Sequence, residues 1–472
     1  MSDIRKQWLD VVKKYRFNPD GPGSERYWCP ELETVPRTKL VEIQNEKLEV
    51  LSRYVYEYSP FYRAKFDEAK LKPADIKSIE DLHKLPLTTK DEMAKDATKN
   101  PPWGTYLCID DDIYHKNGWQ MFATSGTTAA PRAFRHTLHD RDQWAWNDAR
   151  GMWAMGIRPG DVAFIAFGYA PHVFFWGAHY AFNLMKIPII PAGSLDTKKR
   201  ADFINRFKPT ILGATPSYLL YLGQVMKEMG YDPAASSIRI MLTGGEPGAC
   251  IPSTKKRIET LWDAELHEFF GCTEASPTCG GYTCNETVKA KRAPICEHMM
   301  EDIQIWEVVD PVTYEPLPEG SRGLAVVTNL CSEAAPLMRF LVGDFTQFST
   351  EPCACGRTHK LAVGGFAGRA DDMIQVRGIN VFPTTVEEVI RSIPELGDEF
   401  KIVVKGDYGK TEIIIVTEAK PEVPASSYAA LSDKLSDSLR IAIELRAIVE
   451  VNPPNTLPKT EFKAKRVEDL RK

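Results

Sequence analysis

From about Asp161 onward the chain repeats one pattern, a short apolar run followed by a helical stretch. Val162-Ala163-Phe164-Ile165-Ala166-Phe167 is the first run, Ile187-Pro188-Ile189-Ile190 the second, and Ile238-Arg239-Ile240-Met241-Leu242-Thr243 the third. Between the last two lies Tyr218 to Met229, a helix that Gly230 closes. Short runs of this kind suit strands buried on both faces, and the helices between them suit crossovers of a parallel sheet. Ligands of such sheets sit beyond the carboxyl ends of the strands, so the segments that follow the runs are the ones to inspect.

The regions on either side have a different texture. The first hundred residues read as polar and helical, with Leu40 to Tyr58 at helical spacing and Ser59-Pro60 as its stop. Past Gly368 the spacing predicts a helix over Thr385 to Ile393, capped by Thr384 or Thr385 and closed by Pro394. Lys401–Lys405 and Thr411–Thr417 read as a hairpin through Gly406-Asp407-Tyr408-Gly409. A helix from Ser426 to Leu445, with Leu431, Leu435 and Leu439 on one stripe, and a strand from Ala447 to Val451 complete the module. At 472 residues the chain exceeds one compact core. The fold expected is a large α/β N-terminal domain with mixed and parallel sheets and crossover helices, plus a small α+β C-terminal domain. The boundary falls between residues 1–367 and 368–472, with a hinge near residues 369–372.

Composition excludes several partners. A net charge of −5 argues against nucleic acid, which calls for a basic face. No apolar run reaches the roughly 18–20 residues of a membrane span. The N-terminus lacks a signal-peptide core, and the ten cysteines are scattered, so a reducing cytoplasm is expected.

Four segments carry chemistry. Thr124-Ser125-Gly126-Thr127-Thr128 puts four hydroxyls around one glycine, and hydroxyls with bare backbone N–H groups suit the oxygens of a polyphosphate. Thr243-Gly244-Gly245-Glu246-Pro247 follows a buried strand, where ligand loops lie. Phe270-Gly271-Cys272-Thr273-Glu274 offers a hydroxyl and a carboxylate side by side, and Asp344 sits in Val342-Gly343-Asp344-Phe345. Read singly, each is also an ordinary polar turn.

Together with Tyr27-Trp28-Cys29-Pro30-Glu31, Ser59-Pro60-Phe61-Tyr62-Arg63 and Leu85-Pro86-Leu87-Thr88-Thr89-Lys90-Asp91, these segments resemble the phenylacetate–CoA ligase family of the adenylate-forming superfamily. The resemblance runs nearly end to end. It implies an ATP-dependent, AMP-forming ligase that turns an aromatic or arylacetic acid into an acyl-adenylate and then a coenzyme A thioester. It also implies that Thr124 to Thr128 cradle phosphates, that Gly244 to Pro247 and Phe270 to Cys272 line the adenine site, and that Thr273 meets the α-phosphate. Glu274 would bind magnesium, Asp344 would hold the ribose hydroxyls, and Arg369 would contact ribose or phosphate. Lys463, in Leu457-Pro458-Lys459-Thr460-Glu461-Phe462-Lys463, matches the catalytic lysine of adenylation, with Lys459 and Lys465 as neighbours that blur the assignment. Arg377, Gly378 and Asn380 match the loop that serves thioesterification. Two departures stand out. Ala129-Ala130 replaces the family's Gly-Lys, leaving Arg132 or Arg135 to supply the charge, and Phe462 replaces a glycine.

The aromatic segment Phe167 to Tyr180 falls where the family binds its acid, with Phe122, Tyr169, Ala170, Phe175 and Phe270 as expected walls. His172 and His179 read as packing residues rather than bases. Cys353-Ala354-Cys355 resembles a zinc knuckle of some family members, which would be completed by Cys284 and His298, with Cys296 as a rival ligand. Alternatives are a stand-alone enzyme that loads a carrier-protein thiol, and a non-catalytic nucleotide-binding relative. The oligomeric expectation is a monomer or homodimer.

Overall fold

A computed structural model describes residues 3–124, 132–169, 173–277, 280–289, 294–366, 368–370, 372–376, 379–406, 411–459 and 466–471. The predicted apolar runs become strands of one 11-stranded sheet, with Ile211–Gly213 inserted between the first and the third. Its first half is parallel, in the order Ile189–Pro191, Ala163–Ile165, Ile211–Gly213, Ile240–Thr243, Glu265–Phe270. Its second half is antiparallel and continues through Gly281–Tyr282, Cys296–Met299, Leu361–Val363, Phe340–Ser349, Arg322–Asn329 and Gln304–Val309. The strand Glu265–Phe270 is the seam between the halves, parallel to one neighbour and antiparallel to the other. The parallel strands are only three to six residues long, and the inner ones, Ala163–Ile165, Ile211–Gly213 and Ile240–Thr243, are wholly buried, which is why their sequence runs are short and continuous.

Helices cover the parallel half. Pro216–Glu228 starts on a Thr215 cap with proline at its first position, and Pro252–Trp262 also opens on proline. Leu138–Ala154 is held by a capping box of Thr137 and Asp140. Asp140 reaches further, accepting from the Glu333 N–H at 2.7 Å and the Ala334 N–H at 3.2 Å. The N-terminal helix Arg37–Tyr58 ends at Ser59, as its Ser-Pro stop predicts, and packs into the same core. A buried two-point pair ties that core together, Arg150 to Asp302, with both bonds at 2.8 Å. Burial opposes ionisation of Asp302, yet the Arg150 charge overrides it and holds the carboxyl below the usual range. Removing one partner of such a pair costs about 3–5 kcal/mol.

The last hundred residues gather a core of their own, from Ile374 to Val467. Leu396–Lys405 and Glu412–Ala419 form the antiparallel pair, flanked in parallel by Ile448–Asn452 and Val467–Asp469. Leu431, Leu435 and Leu439 are buried along the helix Tyr428–Ile443. One expected detail differs. The preceding helix runs Pro383–Ser392, with Phe382 as its N-cap and no side-chain cap bond, so neither Thr384 nor Thr385 caps it. Proline at the first position already removes one orphan N–H and fixes the turn, which moves the start upstream of both threonines.

This unit docks on Pro252–Trp262. Arg257 donates to the carbonyls of Arg391, Ile393, Leu396 and Gly397 at 2.7 to 3.1 Å and pairs with Asp398 at 2.6 Å. Those carbonyls include ones left open at the end of a helix, so a single guanidinium satisfies them across the contact. Ser253 adds two bonds to Glu388, and Arg391 one to Thr254.

Candidate active site

The phosphate-loop candidate springs from a hairpin. Gly118–Ala123 pairs with Ala133–Thr137, with Phe122 opposite Phe134. The loop's ends are tied, since the Thr124 N–H donates to the Arg132 carbonyl and the Arg132 N–H to Thr124 Oγ1, both at 3.1 Å. Ser125, Gly126, Thr127, Thr128 and Ala129-Ala130 lie outside the described residues. The two candidate arginines separate clearly. Arg132 Nη2 meets Glu274 Oε1 at 2.6 Å, with both side chains largely buried. Arg135 instead stacks on Trp103 at 3.9 Å and pairs with Asp111 at 2.6 Å.

The loop after Ile240–Thr243 requires its glycines. A Cβ at Gly244 would lie 2.3 Å from the Phe174 ring, and Gly245 has φ +85°, which disfavours other residues. The Glu246 carboxylate accepts from the Ser217 N–H at 2.7 Å, at the start of Pro216–Glu228, so it ties the loop that ends in Pro247 to a neighbouring helix.

The seam strand delivers the next group. Phe270 lies face to face with Phe366, centroids 3.4 Å apart and planes 7° from parallel. Burial pushes the Cys272 thiol up to about 12, which leaves it protonated and inert near neutral pH. After Gly271 and Cys272 the chain turns. The Thr273 carbonyl accepts from Ser276 Oγ at 2.6 Å, which also meets His136 Nε2 at 3.1 Å. His136 in turn lies 3.7 Å from Asp140. The turn bearing Thr273 and Glu274 is thus propped by a polar chain rooted in the Leu138–Ala154 helix.

Asp344 and Arg369 face each other across a backbone bridge, where the Phe345 N–H donates to Gly368 and the Ala370 N–H to Gly343. Their side chains approach to 3.9 Å. The segment Gly368–Ala370 is therefore stitched to the strand that carries Asp344. Lys90 Nζ comes within 3.6 Å of where a Gly343 Cβ would sit, and its charge and that of Asp344 both act on Cys272. Its sequence signal was the Leu-Thr-Thr-Lys signature, which carried no assigned role.

Asn380 lies opposite Gln375 on a two-stranded ribbon, while Arg377, Gly378, Phe462, Lys463 and Lys465 fall outside the described residues. Lys459, the rival for the lysine role, pairs with Glu418 at 3.3 Å.

The aromatic walls form a continuous ring contact chain. Phe122 meets Trp119 at 5.8 Å, Trp119 meets Tyr180 at 4.7 Å, and Tyr180 meets Trp176 and His179. These reach Phe175, which touches Tyr169 at 4.4 Å. Phe122 is also packed against His136 and Trp144, both at 5.3 Å. Ala170 and His172 lie outside the described residues. Trp119, Trp144 and His136 were missed because they lie outside the aromatic segment and meet it only through packing. Phe270 joins a different cluster, with Phe366 and Trp306.

Cys284, His298, Cys353 and Cys355 bring their ligand atoms within 4.8 Å of one another. Cys284 and Cys353 sulfurs are 3.8 Å apart, and Cys355 Sγ lies 3.3 Å from His298 Nε2. Three sulfurs and an imidazole nitrogen at this spacing fit a closed tetrahedral zinc site. Cys296 stays outside the cluster, its sulfur near the Pro294 carbonyl at 3.5 Å.

Comparison with known proteins agrees with this geometry. Residues 57–330 match the AMP-binding enzyme model, and residues 378–471 match the AMP-binding enzyme C-terminal domain. The phenylacetate-coenzyme A ligase of Thermus thermophilus is 34% identical, covering 94% of this chain and 99% of the relative. That of Aromatoleum evansii is 33% identical, with 93% and 96% covered. A solved 2-hydroxyisobutyryl-CoA ligase with 2-HIB-AMP, in its postadenylation state, superposes at a TM-score of 0.88, with 30% identity over 95% of this chain and 93% of that one. The same ligase in its thioesterification state, with CoA, reaches 0.71 at 30% identity, over 95% and 94%. The chain as a whole therefore superposes better on the former state than on the latter. The chain belongs to the AMP-binding enzyme family, among the phenylacetate–CoA ligases, and is an AMP-forming acid–thiol ligase.

Proposed function

We propose that the protein activates an aromatic or arylacetic acid with ATP and transfers it to coenzyme A. The observation that carries this reading is the joining of Arg132 to Glu274, at the carboxyl end of the seam strand, beside the hairpin whose loop holds the hydroxyls. In this reading, one oxygen of the acid's carboxylate attacks the α-phosphorus of ATP and pyrophosphate leaves. The thiol of coenzyme A then attacks the acyl carbon, and AMP departs with the attacking carboxylate oxygen.

The residues divide the work. Thr124 to Thr128 donate to the β- and γ-phosphates, and Arg132 supplies the cation that Ala129-Ala130 withholds. When nucleotide enters, Arg132 turns from Glu274 to phosphate, which frees the Glu274 carboxylate. A magnesium ion held by Glu274 and phosphate oxygens would screen their negative charge. Thr273 hydrogen-bonds the α-phosphate, Asp344 accepts both ribose hydroxyls, and Arg369, already beside Asp344, reaches ribose or phosphate. Gly244 to Pro247 and Phe270 to Cys272 line the adenine. Lys463 places a positive charge where the pentavalent phosphorus gathers negative charge. Residues 1–367 and 368–472 act as two domains turning about residues 369–372, so that Arg377, Gly378 and Asn380 replace Lys463 for the thiol step.

The ring chain from Phe122 to Tyr169 supports a flat apolar acid. Cys284, His298, Cys353 and Cys355 would hold one zinc ion as a structural tie. Metal analysis tests that tie: one equivalent should vanish in Cys353→Ser, and an unchanged content would reject it. For the reaction, phenylacetate, indoleacetate, benzoates and naphthoates are offered with ATP, and with either coenzyme A or a carrier protein. A 2-hydroxyisobutyrate arm covers the acid named for the solved neighbour. Thioester on coenzyme A from an aromatic acid is the expected product. Product only on the carrier, or only from the aliphatic acid, would overturn the assignment.

A further inference from the structure

Behind the nucleotide loop, Cys250, Glu268 and Glu297 bring a thiol sulfur and two carboxylate oxygens within 4.8 Å of one another in buried surroundings. They come from three segments: the turn that follows Gly244–Gly248, the seam strand Glu265–Phe270, and the strand Cys296–Met299. Glu268 is oriented by the N–H groups of Gly248 at 3.2 Å and Cys250 at 3.0 Å. Glu297 is not oriented by anything comparable. It is 1% exposed, and neither of its carboxylate oxygens has a hydrogen-bond partner among the described residues.

A carboxyl group so placed is costly unless something occupies the space its oxygens face. The neighbours keep that space small and open. A Cβ on Gly365 would come within 2.8 Å of Cys250 Sγ and 3.4 Å of Glu297 Oε2, and one on Gly281 would lie 3.5 Å from the same oxygen. Burial pushes the Cys250 thiol up, and the neighbouring Glu268 and Glu297 act in the same direction. Three potential anions therefore converge, with no cation among the described residues set against them.

We propose that Cys250, Glu268 and Glu297 bind a divalent transition-metal ion of the zinc class, separate from the Cys284–His298–Cys353–Cys355 cluster. A thiolate with carboxylates suits zinc or cobalt, whereas magnesium demands oxygen ligands in an octahedron. Binding sends the thiol proton and any carboxyl proton to solvent, which makes it tighter as pH rises. The two sites share no ligand. Glu297 and His298 are adjacent on one strand, and successive side chains there point to opposite faces.

The ion would join the segments that frame the adenine. Cys250 follows the Gly244–Pro247 loop, Glu268 precedes Phe270 by two residues, and Gly365 adjoins Phe366, whose ring lies on Phe270. Its role is to fix that stacked pair and the loop in one frame.

Full-length protein is stripped with a chelator, then titrated with Co2+ while thiolate-to-cobalt absorption is recorded. Wild type is compared with Glu297→Gln and Cys250→Ser. Each variant is expected to bind one equivalent fewer than wild type, and Cys250→Ser is expected to lose a share of the absorption. Equal stoichiometry in all three would overturn the proposal and leave the pair of glutamates sharing a proton. Should a variant fold poorly, a cobalt-soaked wild-type crystal decides by itself. An anomalous peak among the three side chains supports the site, and none there rejects it.

Discussion

At one end of the site Arg132 meets Glu274 at 2.6 Å and Asp344 stands beside Arg369; at the other, rings from Phe122 to Tyr169 touch one another in sequence. The polar end is built from short turns at strand ends, and each turn brings its own functional residue. The aromatic end is built by packing between separate elements, the hairpin at Gly118–Ala123, the helix Leu138–Ala154 and the helix Val173–Leu184. In the proposed reading, charge placed on backbone turns does the phosphate chemistry, whereas buried ring area chooses the acid. Substitutions at the polar end should therefore change rate, and those at the aromatic end should change which acid is used.

The largest effect is expected at Lys463, which sharpens the contrast by separating the two half-reactions. Lys463→Ala should lower acid-dependent pyrophosphate exchange by about 10²–10³-fold. It should still convert a supplied acyl-adenylate to thioester, and equal loss of both would remove the lysine from its role. Next comes Arg132→Ala, with an expected loss of about 10- to 100-fold in kcat/KM for ATP, the size of a charge-assisted bond of 1.5–3 kcal/mol. Arg135→Ala, whose guanidinium serves Trp103 and Asp111, should leave nucleotide kinetics close to wild type. Equal effects at both arginines would break the assignment of charge to Arg132. The smallest change is expected from Trp119→Ala, a several-fold rise in KM for the aromatic acid with ATP kinetics nearly untouched, as fits the 0.5–1.5 kcal/mol or so of a ring pair. A shift confined to ATP would place Trp119 outside the acid pocket.

The same contrast explains what could be read from the residues alone. Thr243 to Pro247, Phe270 to Glu274 and Asp344 stand out in the sequence as short motifs, and the fold places each in a turn or at a strand of the same sheet. The apolar runs announce the parallel half of the sheet, since its inner strands Ala163–Ile165 and Ile240–Thr243 are buried and carry almost no polar residues. The antiparallel half was not foreseen as a continuation of that sheet. Its strands pair across long separations, as Leu361–Val363 does with Cys296–Met299, and no local spacing records such pairing. Trp119, Trp144 and His136 were hidden for the same reason. The choice between Arg132 and Arg135 also waited for coordinates, because Arg132 precedes the strand Ala133–Thr137 and meets Glu274, whereas Arg135 lies within it and meets Trp103 and Asp111. Cys284 over Cys296 is decided by position, since Cys284, between Gly281–Tyr282 and Asn285–Lys289, meets Cys353, whereas Cys296 lies against Pro294.

The central claim is that the acid's own oxygen attacks the α-phosphorus of ATP before the thiol arrives. Acid labelled with ¹⁸O in both carboxylate oxygens, turned over with ATP and coenzyme A, tests it most directly by mass spectrometry of the nucleotide released. The account predicts one ¹⁸O in each AMP and one retained in the thioester. Unlabelled AMP, or ADP in its place, would contradict it.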